Sequence, residues 1–111
     1  LIGLHKLNVS LKKGHTLEDF EEYFTQVVIP AYNQAYLGAK VHLIRSSKGA
    51  DLNSLGMLWI FESEEFLAQL WNADGSSTEL NNAIGQSLVE VNEGLAAIGS
   101  WTSSYSDWTV Q

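Results

Sequence analysis

From Leu55 to Phe61 the chain reads Leu-Gly-Met-Leu-Trp-Ile-Phe, apolar at odd and even positions alike. A strand with one wet face alternates apolar and polar residues; a strand covered on both sides does not. This stretch therefore predicts a central strand with apolar cover above and below it. The rest of the chain has to supply both covers.

The flanking segments carry their own periods. Residues 4–11 alternate in the strand manner, with His5, Leu7, Val9 and Leu11 on one side and Leu4, Lys6, Asn8 and Ser10 on the other. Thr16 reads as a helix N-cap with Asp19 three residues on, a variant of the capping box. Leu17, Phe20, Phe24, Val27 and Ala31 then draw an apolar stripe at helical spacing. Pro30 lacks an N–H and disfavours helical geometry at Ile29, so the helix is expected to kink or end there. Gly38 leads a second strand over 39–47, and 46–54 reads as a hairpin loop. After the central strand, Ser63 caps a short helix with Glu64 and Glu65 in its first turn. Residues 73–77 are a break. Ser76 or Ser77 is the expected cap of a longer helix striped by Leu80, Ile84, Leu88, Val91, Leu95 and Ile98, with Gly99 as its C-cap. A last strand over 101–110 is rich in Trp, Tyr, Ser and Thr.

The order is strand, helix, strand, strand, helix pair, strand, over one domain spanning 1–111. That is the split βαβ pattern, and it predicts an α+β, ferredoxin-like β-α-β-β-α-β antiparallel sheet with helices on one face. Strands one, three and four nevertheless carry large apolar residues on both faces. A second copy of the chain is the expected cover for the helix-free face.

Several stretches resemble the dimeric α/β-barrel superfamily: Phe20-Glu21-Glu22-Tyr23-Phe24, Pro30 late in the first helix, Gly38 before strand two, and Trp59-Ile60-Phe61-Glu62-Ser63-Glu64-Glu65-Phe66. The superfamily includes antibiotic-biosynthesis monooxygenases, haem-degrading monooxygenases and stress-responsive barrel proteins. The resemblance spans nearly the whole chain and bears on fold more than on activity. It implies that two sheets close back to back into a barrel, and that a ligand lies between each sheet and its own helices.

Charge and composition narrow the functions. The net charge is −7, and all six basic residues fall between Lys6 and Lys48; residues 49–111 contain no Lys or Arg. Nucleic acid and anionic membrane surfaces are recognised by clustered Lys and Arg, so neither is an expected partner. With 45% hydrophobic residues the chain is expected to be globular and soluble, with no apolar run long enough to span a bilayer. It opens without Met on a strand-like stretch, which leaves a removed leader open, and the compartment stays at the cytoplasmic default. Cysteine is absent, which removes disulfides, thiolate ligands and a cysteine nucleophile.

The candidate site residues are few. His5, His15 and His42 form no i, i+4 pair, so no metal-ligand spacing is present and no metal or cofactor is expected. His15 reads as a solvated loop residue. His5 and His42 lie on strands and are the catalytic candidates, each able to act as base if neutral and facing a pocket; the alternative is a hydrogen-bonded strand histidine. Arg45, the only arginine, either clamps a ligand carboxylate or pairs with an acid across the dimer. Trp59 and Trp71 are candidate aromatic walls, with simple packing as the competing reading. Tyr32, Asn33 and Tyr36, where the first helix loosens, are candidates for the rim of a pocket.

Sharper motifs fail. The haem-degrading pattern implied by the resemblance needs an Asn in strand one, a Trp after strand three and an axial His in the next helix. Asn8 and Trp71 are present, but no His follows His42. Neither Gly-x-Ser-x-Gly nor a P-loop occurs. Asn8-Val9-Ser10 matches a glycosylation sequon inside a strand. Three functions of different classes follow: binding of a small apolar or aromatic molecule between sheet and helices, cofactor-independent oxygenation of an aromatic substrate, and a non-catalytic dimerisation module.

Overall fold

The computed structural model describes residues Leu1–Gln111. Four strands, β1 (Ile2–Leu11), β2 (Ala39–Arg45), β3 (Leu55–Phe61) and β4 (Gly99–Trp108), form one open sheet in the order β2-β3-β1-β4. Every neighbouring pair is antiparallel. The apolar run 55–61 is an interior strand, and the fold is α+β, compatible with the ferredoxin-like pattern.

Register fixes the faces. His5 lies opposite Met57 on β3 and Tyr105 on β4; Leu7 lies opposite Leu55 and Ser103. Side chains of directly opposed residues share a face. One face therefore carries His5, Leu7, Val41, Leu55, Met57, Trp59, Phe61, Trp101 and Tyr105. The other carries Ile2, Leu4, Lys6, His42, Ile44, Leu58, Ile60 and Trp108.

Helices cover the first face. α1 (Leu17–Tyr23) begins at the expected box: Thr16 Oγ1 accepts from Asp19 N at 3.2 Å, and Asp19 Oδ2 accepts from Thr16 N at 3.0 Å. That backbone bond is the main reason the Asp19 carboxyl titrates below its usual range. A π-helical turn (Phe24–Val28) joins α1 to α2 (Ile29–Ala35). The chain thus stays helical through Pro30 instead of ending there. The wide turn lies just before the proline, where the missing N–H interrupts the ladder anyway.

α3 (Glu64–Leu70) is capped by Ser63, whose Oγ accepts from Phe66 N at 3.1 Å. The expected long helix divides at Leu88 into α4 (Glu79–Ser87) and α5 (Val89–Ala96). Its cap is Thr78, not Ser76 or Ser77. Thr78 Oγ1 accepts from Asn81 N at 3.2 Å and donates to the carbonyls of Gln69 at 2.6 Å and Leu70 at 3.1 Å. Ser76 Oγ is engaged inside the turn, accepting from Asn72 Nδ2 and donating to Asp74 Oδ1, and Ser77 Oγ donates to the Thr78 carbonyl. Gly99 is the first residue of β4 and no helix cap; a Cβ there would lie 3.0 Å from the Ser10 carbonyl oxygen.

The core joins sheet residues Leu7, Val41, Leu55, Met57, Trp59 and Phe61 to helix residues Phe20, Phe24, Val28, Leu70, Leu88 and Leu95. No polar or charged residue is buried with them. Each such side chain contributes about 1.5–3 kcal/mol by leaving water, so this layer holds the helices on the sheet. The opposite face is bare, with Ile60 43% and Trp108 60% exposed.

Candidate functional site

Packing is incomplete at one end of the sheet–helix layer. A cavity of about 430 Å³ opens there. Its floor is sheet: His5 of β1, Trp59 and Phe61 of β3, Tyr105 of β4. Its roof is helical: Tyr36 at the end of α2, Leu70 and Trp71 at the end of α3, and Asn81 in the first turn of α4. A smaller, separate chamber of about 180 Å³ lies beneath the helices and has His5 and Trp59 in its wall as well. On the outside, Trp71 and Tyr105 also border a surface groove that reaches Glu64 and Asp107.

Local structure places each roof residue. α3 stops at Trp71, which turns extended and bridges to Ser77 across a tight turn. The turn is held by Asp74, whose Oδ1 accepts from Ser76 N at 2.9 Å and Ser76 Oγ at 2.6 Å. Gly75 occupies its left-handed position at φ 86°. Trp71 is consequently 46% exposed, half in the cavity wall and half in the groove. Tyr36 donates to Asn81 Oδ1 at 3.0 Å, tying α2 to α4 across the roof. In the smaller chamber Tyr32 and Asn92 exchange hydrogen bonds in the same way, at 3.2 and 3.1 Å.

The aromatic rings are ordered around Trp59. Tyr36 meets it edge-on with centroids 4.9 Å apart, Tyr32 edge-on at 5.8 Å, and Phe61 lies stacked at 5.8 Å. Trp59 is 8% exposed, and its indole N–H has no hydrogen-bond partner. A buried donor left unpaired costs about 1–3 kcal/mol. The Trp59 ring borders both chambers, while its nitrogen is enclosed in the packing of the wall.

His5 is the only basic side chain in the cavity wall. Its ring meets that of Tyr105 at a tilt of 45° with centroids 4.5 Å apart, and Nδ1 lies 3.4 Å from Ser103 Oγ. Burial lowers its pKa below the ordinary 6.5, with the Asp107 carboxylate pulling weakly the other way. At neutral pH His5 is therefore an uncharged imidazole. Tyr105 donates to Asp107 Oδ1; burial first, and that carboxylate second, push its hydroxyl far above the usual phenol range. Burial also raises the hydroxyls of Tyr32 and Tyr36. The site is neutral, aromatic and proton-holding.

The predicted residues separate into two groups. His5, Tyr36, Trp59 and Trp71 come together around the main cavity, and Tyr32 reaches the smaller chamber. Asn33 serves the backbone: its Oδ1 accepts from Val41 N at 2.7 Å and its Nδ2 donates to Val41 O at 3.2 Å. His42 is exposed on the helix-free face, opposite Leu58. Arg45 is ion-paired with Glu21 of α1 in the same chain and lines neither chamber. Phe61, Leu70, Asn81 and Tyr105 are walls that sequence reasoning missed. Phe61 was within reach, since it lies two residues beyond Trp59 on the same strand.

No group of three His, Asp or Glu side chains is placed to hold a metal ion. No helix is long and apolar enough to cross a membrane. No protein-family profile matches the chain, and no curated protein is significantly similar to it.

Proposed function

We propose that the protein binds a small apolar or aromatic molecule between its sheet and its helices. The observation that carries this reading is the cavity of about 430 Å³, six of whose eight walls are hydrophobic. Ligand sites are concave, mostly apolar, roughly 300–1,000 Å³ in volume, and fixed by a few polar groups. Here those groups are His5 and Asn81. The test is tryptophan fluorescence with a polycyclic phenol, haem and a long-chain fatty acid. Saturable quenching by the phenol, weakened in Trp71→Ser, supports the reading. A flat response to all three compounds removes it and leaves a dimerisation module.

A cofactor-independent monooxygenase is the second reading, favoured by one observation: His5 is neutral and faces the aromatic cavity. A neutral imidazole can take a proton from an electron-rich ring system. The resulting carbanion gives its electrons to dioxygen, one oxygen atom ending in a ring carbonyl and the other in water. Oxygen uptake with the phenol, lost in His5→Gln while binding persists, is the expected result. Binding without uptake returns the protein to the first reading.

The helix-free face supports the finer fold assignment to the dimeric α/β-barrel superfamily. Ile2, Leu4, Leu58 and Ile60 adjoin in its centre, with Ile44 and Trp108 beside them. Exposed apolar patches of this kind mark interaction sites, and a twofold pair of sheets covers both copies at once. Sedimentation velocity tests this: a dimer that Ile60→Lys converts to monomer is expected. A wild-type monomer at micromolar concentration argues against it.

A further inference from the structure

We propose that the free edge of β4 pairs antiparallel with β4 of a second copy of the chain, about a twofold axis at Ser103, so that one sheet runs through two molecules. This contact is separate from the helix-free face and from the cavity, and it stands or falls independently of both.

Hydrogen-bond parity decides which backbone groups the edge offers. In an antiparallel pair, alternate residues turn both N–H and C=O to one neighbour, and the residues between them turn theirs the other way. Lys12 N donates to the Ile98 carbonyl, and these two positions continue the β1–β4 register. The even-numbered residues of β4 are therefore the ones bonded to β1. On the other side of β1, Phe61 N donates to the Leu1 carbonyl, which gives the odd positions of β1 to β3 and leaves the even ones for β4, in agreement. Gly99, Trp101, Ser103, Tyr105 and Asp107 thus turn N–H and C=O away from the sheet. No turn, cap or side-chain bond of the chain takes any of these groups.

The opposite edge is closed by the chain itself. Glu62 N donates to the Gly38 carbonyl in the β2–β3 register, so the odd residues of β2 face outward. Asn33 takes both backbone groups of Val41, and the Tyr36 carbonyl accepts from Ala39 N. β2 also carries Lys40 and Arg45, and covered or charged edges resist further pairing. β4 has none of these devices: its 10 residues include no Lys, Arg or Pro, and its register with β1 runs without a bulge. This difference makes β4 the pairing edge and rules out β2 of a second copy as its partner. An axis through Ser103 is the register that pairs all the outward residues of β4: Gly99 with Asp107, Trp101 with Tyr105, and Ser103 with its own copy. The strand's one charge then falls opposite a glycine, and each aromatic ring meets another. On the helix-free face Thr102 lies opposite Ser104. Aromatic and hydroxyl pairs of this kind stabilise neighbouring strands, and no like charges meet.

The contact is mostly backbone to backbone and covers little apolar surface, so it is weaker than face pairing and belongs to high concentration. Ile60→Lys, which removes the face contact, isolates it. Sedimentation equilibrium of Ile60→Lys should show a monomer at about 10 μM and a dimer forming at about 1 mM. With Ser103→Pro added, the protein should stay monomeric at both concentrations. The Ser103 N–H is unbonded within the chain, so a proline is compatible with the edge strand there, and its ring blocks an incoming strand. Amide hydrogen exchange in wild type needs no variant. The N–H groups of Trp101, Ser103, Tyr105 and Asp107 should exchange severalfold more slowly at about 1 mM than at about 50 μM. A monomeric Ile60→Lys at the higher concentration overturns the proposal. So does a dimer in which these four amides stay unprotected, or one that survives Ser103→Pro in a folded protein. Amides protected only by an added extended peptide of unrelated sequence would assign the edge to a different protein and overturn pairing with a second copy.

Discussion

His5 and Tyr105 lie directly opposite each other on β1 and β4, their ring centroids 4.5 Å apart and their planes tilted by 45°. The contact holds Tyr105 over the edge of the cavity. Gly3, two residues before His5 on the same face, makes room for it: a Cβ there would stand 2.7 Å from the Tyr105 hydroxyl oxygen and 3.2 Å from the Phe61 ring. Gly3→Ala should therefore swing Tyr105 outward. The tip of a half-exposed ring can move, so stability should fall by only about 1 kcal/mol, the low end for overpacking. Ligand affinity should fall severalfold, because the cavity loses one wall. Thermal melting and titration with the polycyclic phenol check the two effects separately; unchanged affinity would show that Tyr105 is not a wall of the bound state.

The depressed pKa of His5 gives stability a pH dependence with a definite sign. In the unfolded chain the imidazole protonates at its ordinary value of 6.5; in the folded chain burial resists that proton. Below about pH 6.5 the unfolded state binds more protons, so stability falls with pH until the folded pKa is reached and then levels off. Asp19 and Asp74 act in a separate window. Their folded pKa values lie below 3.8, so their contribution is lost only as pH falls through those lower values. Melting temperature should decline between about pH 7 and about pH 5 in wild type and be flatter in His5→Gln. Parallel curves for the two proteins would place the titration elsewhere.

Thr78 holds the roof of the cavity together, since its hydroxyl caps α4 and binds back to the last carbonyls of α3. Removing a helix cap costs about 1 kcal/mol, and the hydroxyl's one donation, shared between the Gln69 and Leu70 carbonyls, is lost with it. Thr78→Ala should lower stability by about 1–2 kcal/mol, or roughly 4–12 °C in melting temperature for a domain of this size. Thr78→Ser keeps the hydroxyl and should recover most of the loss. Chemical denaturation of the three proteins decides this, and equal stability of the Ala and Ser variants would dismiss the hydroxyl.

What the sequence made legible was whatever a local period or a local cap encodes. The unbroken apolar run placed β3 inside the sheet, and alternation in 4–11 put His5 with Leu7. Thr16 and Asp19 sit three residues apart, and their bond is local. Thr78 was missed because Ser76, Ser77 and Thr78 can all cap. The choice depends on carbonyls of α3 that only the folded chain brings near. Tyr105 was missed for a similar reason. β4 carries serines on both faces, so its own pattern does not orient it, and only the pairing with β1 does. The roles of Asn81 and Asn92 depend on tyrosine hydroxyls from another helix. Arg45 illustrates the converse: its charge was evident, but Glu21 as its partner in the same chain was not.

Two helical glycines test the packing against propensity. Nothing lies within 4 Å of a Cβ built on Gly85, so Gly85→Ala in α4 should gain the helix-propensity difference, up to about 1 kcal/mol. A Cβ on Gly94 in α5 would overlap the Tyr23 hydroxyl, which donates to the Val91 carbonyl at 3.0 Å. Overpacking of that kind costs about 1–3 kcal/mol and should outweigh the same propensity gain. Gly94→Ala should thus destabilise where Gly85→Ala stabilises. Tyr23→Phe removes the obstructing oxygen together with its hydrogen bond, so the double variant Tyr23→Phe/Gly94→Ala should be more stable than the two single losses added. Denaturant melts of all four proteins close the cycle. Additive losses would mean that α5 does not approach Tyr23 as closely as this fold requires.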